Sequence, residues 1–298
     1  MEARKLNSDL HGTVSLLRAL SKKFFLKQEY HPLIFKSKGL EFEGYSRYNP
    51  SGDDASLIDW KATQRTGELM IRKFKQEREL KVAFFVDAGD NMVFGSGEKL
   101  KCEYAAEVSA GMANLIIESN NLISYYLFAD EIKAFRKFSP GRTQLNLFYD
   151  SLLDAGNYGG GSNLNLAVDY ALNYFSKDVS IVFFVSDFLN IDNNLLKKFQ
   201  ALSSHFDVVA FKVTDVLDME LPDIDESLVL EEPGTHRQVL VNPKIAKRVY
   251  DSYAHQKNDV INKALKNSGV TVVEFNTSES FIAPIAMFLK DRLRRGGL

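Results

Sequence analysis

Two acidic residues, each at the end of a mainly apolar segment, could do chemistry together in this 298-residue chain. They are Asp87 and Asp187, and a glycine-rich loop between them leads into Ser162 and Asn163. Carboxylates, a hydroxyl and an amide oxygen are hard ligands that suit a divalent cation such as Mg²⁺ or Mn²⁺. These residue types therefore allow a metal site, provided that the fold brings them to one place.

A second interpretation of the same acids needs no ligand. Acids at strand ends often cap a neighbouring helix or anchor the turn that follows. On spacing alone, capping is the favoured interpretation of Asp87 and Asp187.

The segments before the two acids, residues 82–86 and 179–185, are apolar apart from Ser180 and predict strands that are buried on both faces. Such strands are typical of parallel sheets covered by helices, in which ligands bind beyond the carboxyl ends of the strands. Both acids and the glycine-rich loop would then share one edge of the sheet.

Strands and helices alternate over the rest of the chain, which predicts an α/β fold with a doubly wound, mostly parallel sheet. An N-terminal helix over residues 10–27 and a β-hairpin extension precede this core. We expect strands at residues 69–74, 122–128, 133–138, 207–213 and 270–275, and helices at 98–119, 143–153, 164–175, 195–202, 243–267 and 282–294, with a surface hairpin at 227–230 and 238–241.

Composition excludes some classes of function. The formal charge of −2 gives no reason to expect nucleic-acid binding, and the glycine-rich loop lacks the lysine of a phosphate-binding loop. Cys102 is the only cysteine, so the chain forms no internal disulfide. Neither a signal peptide nor a membrane span is predicted, and we expect a cytoplasmic protein.

Three further stretches make the chain recognisable. They are RYNPSGDD followed by IDWKATQRTG (residues 47–54 and 58–67), FKQERELKVAFFVD (74–87) and SDFL (186–189). With these stretches the chain resembles the "domain of unknown function 58" family, whose core is similar to a von Willebrand factor A (vWA) domain. We expect residues 1–80 to form a helix and β extension packed on the core, and residues 81–298 to form a vWA-like domain with a hairpin insertion near 214–243.

The resemblance also implies a metal-ion-dependent adhesion site, in which D-x-S-x-S, a threonine and a further aspartate hold Mg²⁺ or Mn²⁺. Asp87 and Asp187 match the two aspartates, and Ser162 stands for the threonine. Gly89 and Asn91 replace the two serines. The predicted site, Asp87, Asn91, Ser162 and Asp187, is therefore degenerate, and the loss of two ligands should weaken metal binding.

The IDW stretch has two interpretations. In the favoured one, Trp60 is a buried apolar anchor that docks the N-terminal region, among ion pairs formed by a set of charged residues: Asp53, Asp54, Asp59, Arg65, Arg72 and Glu77. In the other, the stretch binds a partner, since Trp and Arg are common at interface hot spots. The predicted partner-binding residues are then Asp59, Trp60 and Arg65, together with Gly89, Asp90 and Asn163 at the sheet edge.

The leading functional hypothesis is a non-enzymatic protein-interaction module that uses the degenerate metal site. Family members are often encoded beside MoxR-type AAA+ ATPases, so the resemblance implies such a partner in the assembly or activation of other proteins. The alternative is a metal-dependent hydrolase or phosphatase using Asp87 or Asp187, although the sequence offers no convincing nucleophile or general base.

Overall fold

The computed structural model describes Leu6, Asp9, Leu10 and Gly12, and residues 41–49, 57–75, 79–231 and 237–294. Most of the predicted N-terminal helix at residues 10–27 lies outside these residues.

The strands of the described chain form three sheets. In chain order they are β1 (Glu41–Arg47), β2 (Met70–Lys75), β3 (Lys81–Asp87), β4 (Leu122–Phe128), β5 (Ile132–Ser139), β6 (Val179–Ser186), β7 (Asp207–Thr214), β8 (Leu228–Glu231), β9 (Gln238–Val241) and β10 (Thr271–Asn276). The helices are α1 (Trp60–Thr66), α2 (Lys101–Glu118), α3 (Gly141–Leu153), α4 (Leu164–Tyr174), α5 (Asn193–Ser203), α6 (Val216–Met219), α7 (Pro243–Asn267) and α8 (Ile282–Arg294).

The central sheet has six strands in the order β10-β7-β6-β3-β4-β5. Neighbouring strands are parallel except β5, which pairs antiparallel with β4 at one edge. Counted along the chain, this is the doubly wound order in which the winding direction reverses between β3 and β6. The predicted fold class is confirmed, and the reversal point is where Asp87 and Asp187 lie.

Two apolar layers hold helices against the two faces of this sheet. Successive strand residues point to opposite faces, so Phe84 lies in the layer with α2, and Phe85 lies in the layer with α4 and α5. Each ring stacks on its partner in β6, with centroids 5.0 Å apart for Phe84–Phe183 and 5.1 Å apart for Phe85–Phe184. Burying each such side chain stabilises the fold by about 1.5–3 kcal/mol, which makes β3 and β6 a fixed base for the residues at their ends.

The predicted strands and helices of the core are present, with ends that differ by a few residues. Two short helices were not predicted: α1, which begins at Trp60, and α6, which begins at Val216. The pair β1–β2 and the hairpin β8–β9 form separate two-stranded sheets. Within the described residues, none of the helices combines the length and apolar character needed to cross a membrane.

Candidate functional site

The carboxyl ends of β3 and β6 form the edge of the sheet that we call the rim. Asp87 is the last residue of β3, Ser186 is the last of β6, and Asp187 follows it. Because the two strands are adjacent and parallel, these side chains meet at the reversal point, where α/β sheets bind ligands.

Asp87 is the centre of the rim and is fully buried. Its Oδ2 accepts hydrogen bonds of 2.6 Å from the hydroxyls of both Ser162 and Ser186. Its Oδ1 accepts one of 3.0 Å from the Gly89 backbone N–H. The carboxylate therefore ties the loop after β3 to the loop before α4 and to the end of β6.

Burial and the nearby charge of Asp187 raise the pKa of Asp87 to about 6, although the two serine hydroxyls act against the shift. The protonated form is thus favoured far more than in an exposed aspartate. Because metal ligands must be deprotonated, protons would compete with a metal ion at Asp87 up to about pH 6, a higher pH than for an exposed aspartate.

Asn91 joins the two rim acids. Its Nδ2 donates to Asp187 Oδ2 at 3.0 Å and to Asp87 Oδ2 at 3.3 Å. Because the carboxylates of Asp87 and Asp187 are acceptors, the Asn91 amide presents its N–H groups to them. Its buried Oδ1 has no hydrogen-bond partner among the described residues. Asn91 therefore acts here as a donor between two acids rather than as an oxygen ligand.

The glycine-rich loop places Ser162. Gly159 and Gly160 have φ angles of 119° and 91°, which favour glycine. The Gly159 N–H donates to the Ala88 carbonyl at 2.7 Å, and the Asp90 N–H donates to the Gly160 carbonyl at 2.8 Å. These two backbone bonds fasten the loop to the end of β3, which brings the Ser162 hydroxyl within hydrogen-bonding distance of Asp87.

Asp187 is paired with a buried cation that the sequence did not point to. The ammonium group of Lys101 lies 3.0 Å from Asp187 Oδ2 and 3.0 Å from Asp218 Oδ2, and the residue is only 1% exposed. Burial lowers the pKa of Lys101, but the two carboxylates outweigh burial and hold its pKa above the ordinary value. Lys101 is therefore charged, and it connects α2, β6 and α6.

Each rim acid also anchors its own turn. Asp87 Oδ1 accepts from the N–H two residues on, and Asp187 Oδ1 accepts from the Leu189 N–H at 3.2 Å. The turn-anchoring role favoured on spacing is thus present, alongside the convergence of the two acids.

A divalent cation does not fit this arrangement. The Oδ2 atoms of Asp87 and Asp187 are occupied by hydrogen-bond donors and by the Lys101 ammonium. A Cβ at position 89 would lie 3.0 Å from the Ser162 Cα, so the missing serine could not be accommodated without movement. No group of three or more His, Cys, Asp or Glu side chains in the described part of the chain could hold a metal. The predicted Mg²⁺ or Mn²⁺ site stays a prediction that the geometry does not support.

The predicted partner residues at the rim are mostly engaged within the chain. Gly89 is buried, and Asn163 caps α4, its Oδ1 accepting from the Leu166 N–H at 3.2 Å. Asp90 is half-buried at the start of a short 3₁₀ turn. Their role in partner binding stays a prediction.

The favoured interpretation of Trp60 as a buried anchor is wrong, because its side chain is 69% exposed. Asp59, which is buried, caps α1 by accepting from the Lys61 and Ala62 N–H groups and also accepts a bond from the Tyr45 hydroxyl. Arg65 is exposed in the last turn of α1. The structure does not describe the other members of the predicted ion-pair set, which are Asp53, Asp54, Glu77 and the side chain of Arg72.

Sequence reasoning missed three rim residues: Ser186, Lys101 and Asp218. Ser186 directly precedes a predicted site residue at the end of a predicted strand, so its position was a usable signal. Lys101 and Asp218 come from helix starts distant in sequence, and only the packing of α2 and α6 over the rim brings them to Asp187.

Comparison with known proteins identifies the family. The family model described as "Protein of unknown function DUF58" matches residues 45–260. Since this match spans most of the chain, the chain belongs to the DUF58 family.

Two kinds of relatives accompany this match. The "Uncharacterized protein Rv1480" of Mycobacterium tuberculosis is 25% identical over 258 residues, which cover 86% of this chain and 80% of the relative. Among solved structures, the conserved hypothetical protein BatB from Bacteroides thetaiotaomicron has a TM-score of 0.48 at 12% identity, with 72% of this chain and 99% of that chain covered. The VWA domain of SpRpn10 has a TM-score of 0.42 at 9% identity, with 70% and 95% covered.

Proposed function

We propose that this DUF58 chain is a non-enzymatic, cytoplasmic protein-interaction module that works with a MoxR-type AAA+ ATPase in the assembly or activation of other proteins. The observation that carries the proposal is the exposure of Trp60 on α1, a helix that is held in place by the unit it forms with β1 and β2. Trp60 is the only tryptophan of the chain and is 69% exposed.

An exposed tryptophan favours an interface for an energetic reason. Aromatic side chains of this size bury about 150–250 Å² when covered, and tryptophan is among the residues enriched at interface hot spots. Leaving such a surface in water forgoes about 25 cal/mol per Å² of apolar area, which a partner could recover. Other large apolar side chains of this unit are also exposed, namely Tyr45, Leu57 and Leu69.

The unit holds Trp60 in a defined place before any partner arrives. Asp59 caps the first turn of α1, and Gly67 ends the helix with a φ of 74°. Thr63 Oγ1 accepts a bond of 3.0 Å from the Met70 N–H, which joins α1 to β2. A side chain presented on a fixed helix loses less conformational entropy on binding than one on a loop.

The bonding within the rim supports a non-enzymatic role. Ser162 and Ser186, the hydroxyls nearest to Asp87, both donate to one fully buried oxygen. Asp187 is held by Lys101 and Asn91. The rim groups are therefore bonded to one another, and a substrate would have to displace these bonds before reacting.

Fluorescence of the single tryptophan tests the proposal. Titrating the chain with the MoxR-type ATPase of the same genome should shift Trp60 emission to shorter wavelength, because the indole leaves water. A Trp60→Phe variant measures the signal from the partner's own tryptophans. Binding that leaves Trp60 emission unchanged, or no binding at all, would overturn the proposed function.

A further inference from the structure

Three carboxylates gather at the rim, and the Lys101 ammonium group contacts two of them, Asp187 and Asp218. Asp87 and Asp187 are buried, and Asp218, which is half-buried, lies on the far side of Lys101 from Asp187 in the ion-pair chain. Burying carboxylate charges without compensation is expensive, so a buried acidic group of this kind requires a cation or neutralisation.

Lys101 occupies a position that is unfavourable for a charged lysine unless its charge compensates the buried carboxylates. It is the first residue of α2, where the partial positive charge of the helix end repels a cation. It is also almost completely buried, with the Phe94 ring 5.7 Å from its ammonium group. The two carboxylates at 3.0 Å are the main compensation for these costs, and the Phe94 ring adds a smaller cation–π attraction.

The space between Asp87 and Asp187 is filled by a side-chain amide rather than by a metal ion. The Asn91 amide bridges Asp87 and Asp187, and its Oδ1 lies 2.7 Å from where a Cβ of residue 89 would be. Gly89 and Asn91 thus fit each other, because any side chain at position 89 would collide with the bridging amide.

We propose that Lys101 is the built-in cation of the rim, taking the place of a divalent metal ion, and that it positions the loops after β6 and β7 against the start of α2. The rim is then assembled without metal and keeps one arrangement at any metal concentration. This inference concerns the rim alone and is independent of which protein binds elsewhere.

Charge compensation can be separated from simple packing with Lys101→Met. Methionine fills most of the same volume but leaves Asp187 and Asp218 without their cation. Removing one partner of a buried ion pair is strongly destabilising, so we expect the melting temperature to fall by about 10 °C. Lys198→Met is the matched control, because its ion pair with Asp169 lies at the surface and its loss should have little effect.

A neutral triad provides the decisive comparison. The triple variant Lys101→Met, Asp187→Asn, Asp218→Asn removes the cation and both of its acids, and should recover most of the lost melting temperature. Recovery supports the proposal even if Lys101→Met alone does not fold. A Lys101→Met protein that melts like the wild type, or a triple variant that is no more stable than Lys101→Met, would overturn it.

Metal titration provides an independent test of the proposal. The melting temperature of the wild-type chain should be the same in millimolar Mn²⁺ and in excess EDTA. A rise with Mn²⁺ that disappears in Asp187→Asn would show a metal ion at the rim and would contradict the proposal.

Discussion

The rim and the unit formed by β1, α1 and β2 use similar residue types in opposite ways. At the rim, Asp87, Asp187 and Lys101 are buried, Lys101 pairs with Asp187, and Asn91 links the two acids. In the β1–α1–β2 unit, the buried acid Asp59 holds a short helix so that Trp60 faces the solvent.

This difference indicates a division of labour. The rim lies where α/β sheets bind ligands, yet its two acids and two serine hydroxyls already have partners within the chain. The unit, by contrast, presents a large apolar side chain of which more than two thirds is exposed. Polar residues at the ligand-binding edge of a sheet therefore do not by themselves identify the binding surface. It is more informative to ask which polar groups are already hydrogen-bonded within the chain and which apolar side chains are exposed.

The largest expected effect comes from removing the central acceptor of the rim. Asp87→Ala would leave the donors of Gly89, Asn91, Ser162 and Ser186 without their shared partner, which should cost about 4 kcal/mol of unfolding free energy. Asp87→Asn keeps an acceptor and should cost much less, as urea denaturation can measure. Equal losses in the two variants would mean that the hydrogen-bond network does not hold the rim.

The stability of the rim should also depend on pH. The pKa of Asp87 is raised from 3.8 to about 6, so the folded state binds this proton more tightly than the unfolded state. The resulting stabilisation, about 3 kcal/mol, is fully present below pH 3.8 and is lost as the pH rises through 6.

Asp87→Asn isolates this contribution. The difference in unfolding free energy between the wild type and Asp87→Asn should move against the wild type as the pH is raised from about 4 to about 7. A difference that stays constant over this range would mean that Asp87 has an ordinary pKa.

Gly89→Ser tests whether the rim is closed to the missing ligand. The new Cβ would lie 3.0 Å from the Ser162 Cα and 2.7 Å from the Asn91 Oδ1, so we expect a loss of about 2 kcal/mol in urea denaturation and no gain of metal binding. Gly97→Ser is the control, because a Cβ there meets nothing within 4 Å. A stable Gly89→Ser protein that binds Mn²⁺ would show that the rim can reopen.

The smallest effect on stability should come from the most exposed large group. Trp60→Ala removes a side chain that lies mostly in water, so the unfolding free energy should change by no more than about 0.5 kcal/mol. Phe84→Ala, within the core, should instead cost about 3–5 kcal/mol. A large loss for Trp60→Ala in the same denaturation series would mean that Trp60 anchors the unit after all.

Sequence patterns were sufficient for the sheet but not for the chemistry at its edge. The apolar runs before Asp87 and Asp187 specify buried strands, because a segment buried on both faces must be apolar throughout. Parallel strand order then places both acids at one edge. Whether those acids bind a metal ion or a lysine depends on which helices pack over them with their first turns. The sequence around Lys101 or Asp218 does not specify that packing.

The exposure of Trp60 could not be predicted from sequence patterns either. A lone tryptophan is most often covered, and periodicity within the seven residues of α1 is too short to assign a buried face. Burial is a property of the neighbouring surface, which only the three-dimensional arrangement supplies.

The affinity of the proposed partner, the MoxR-type ATPase, for three variants tests the division of labour most directly. The account predicts that Trp60→Ala weakens binding at least about tenfold, or about 1.4 kcal/mol. Tyr174→Ala, which removes another aromatic side chain that is 73% exposed, and Asp87→Asn should bind like the wild type. Unchanged binding by Trp60→Ala, together with loss of binding by Asp87→Asn, would place the partner at the rim and contradict the account.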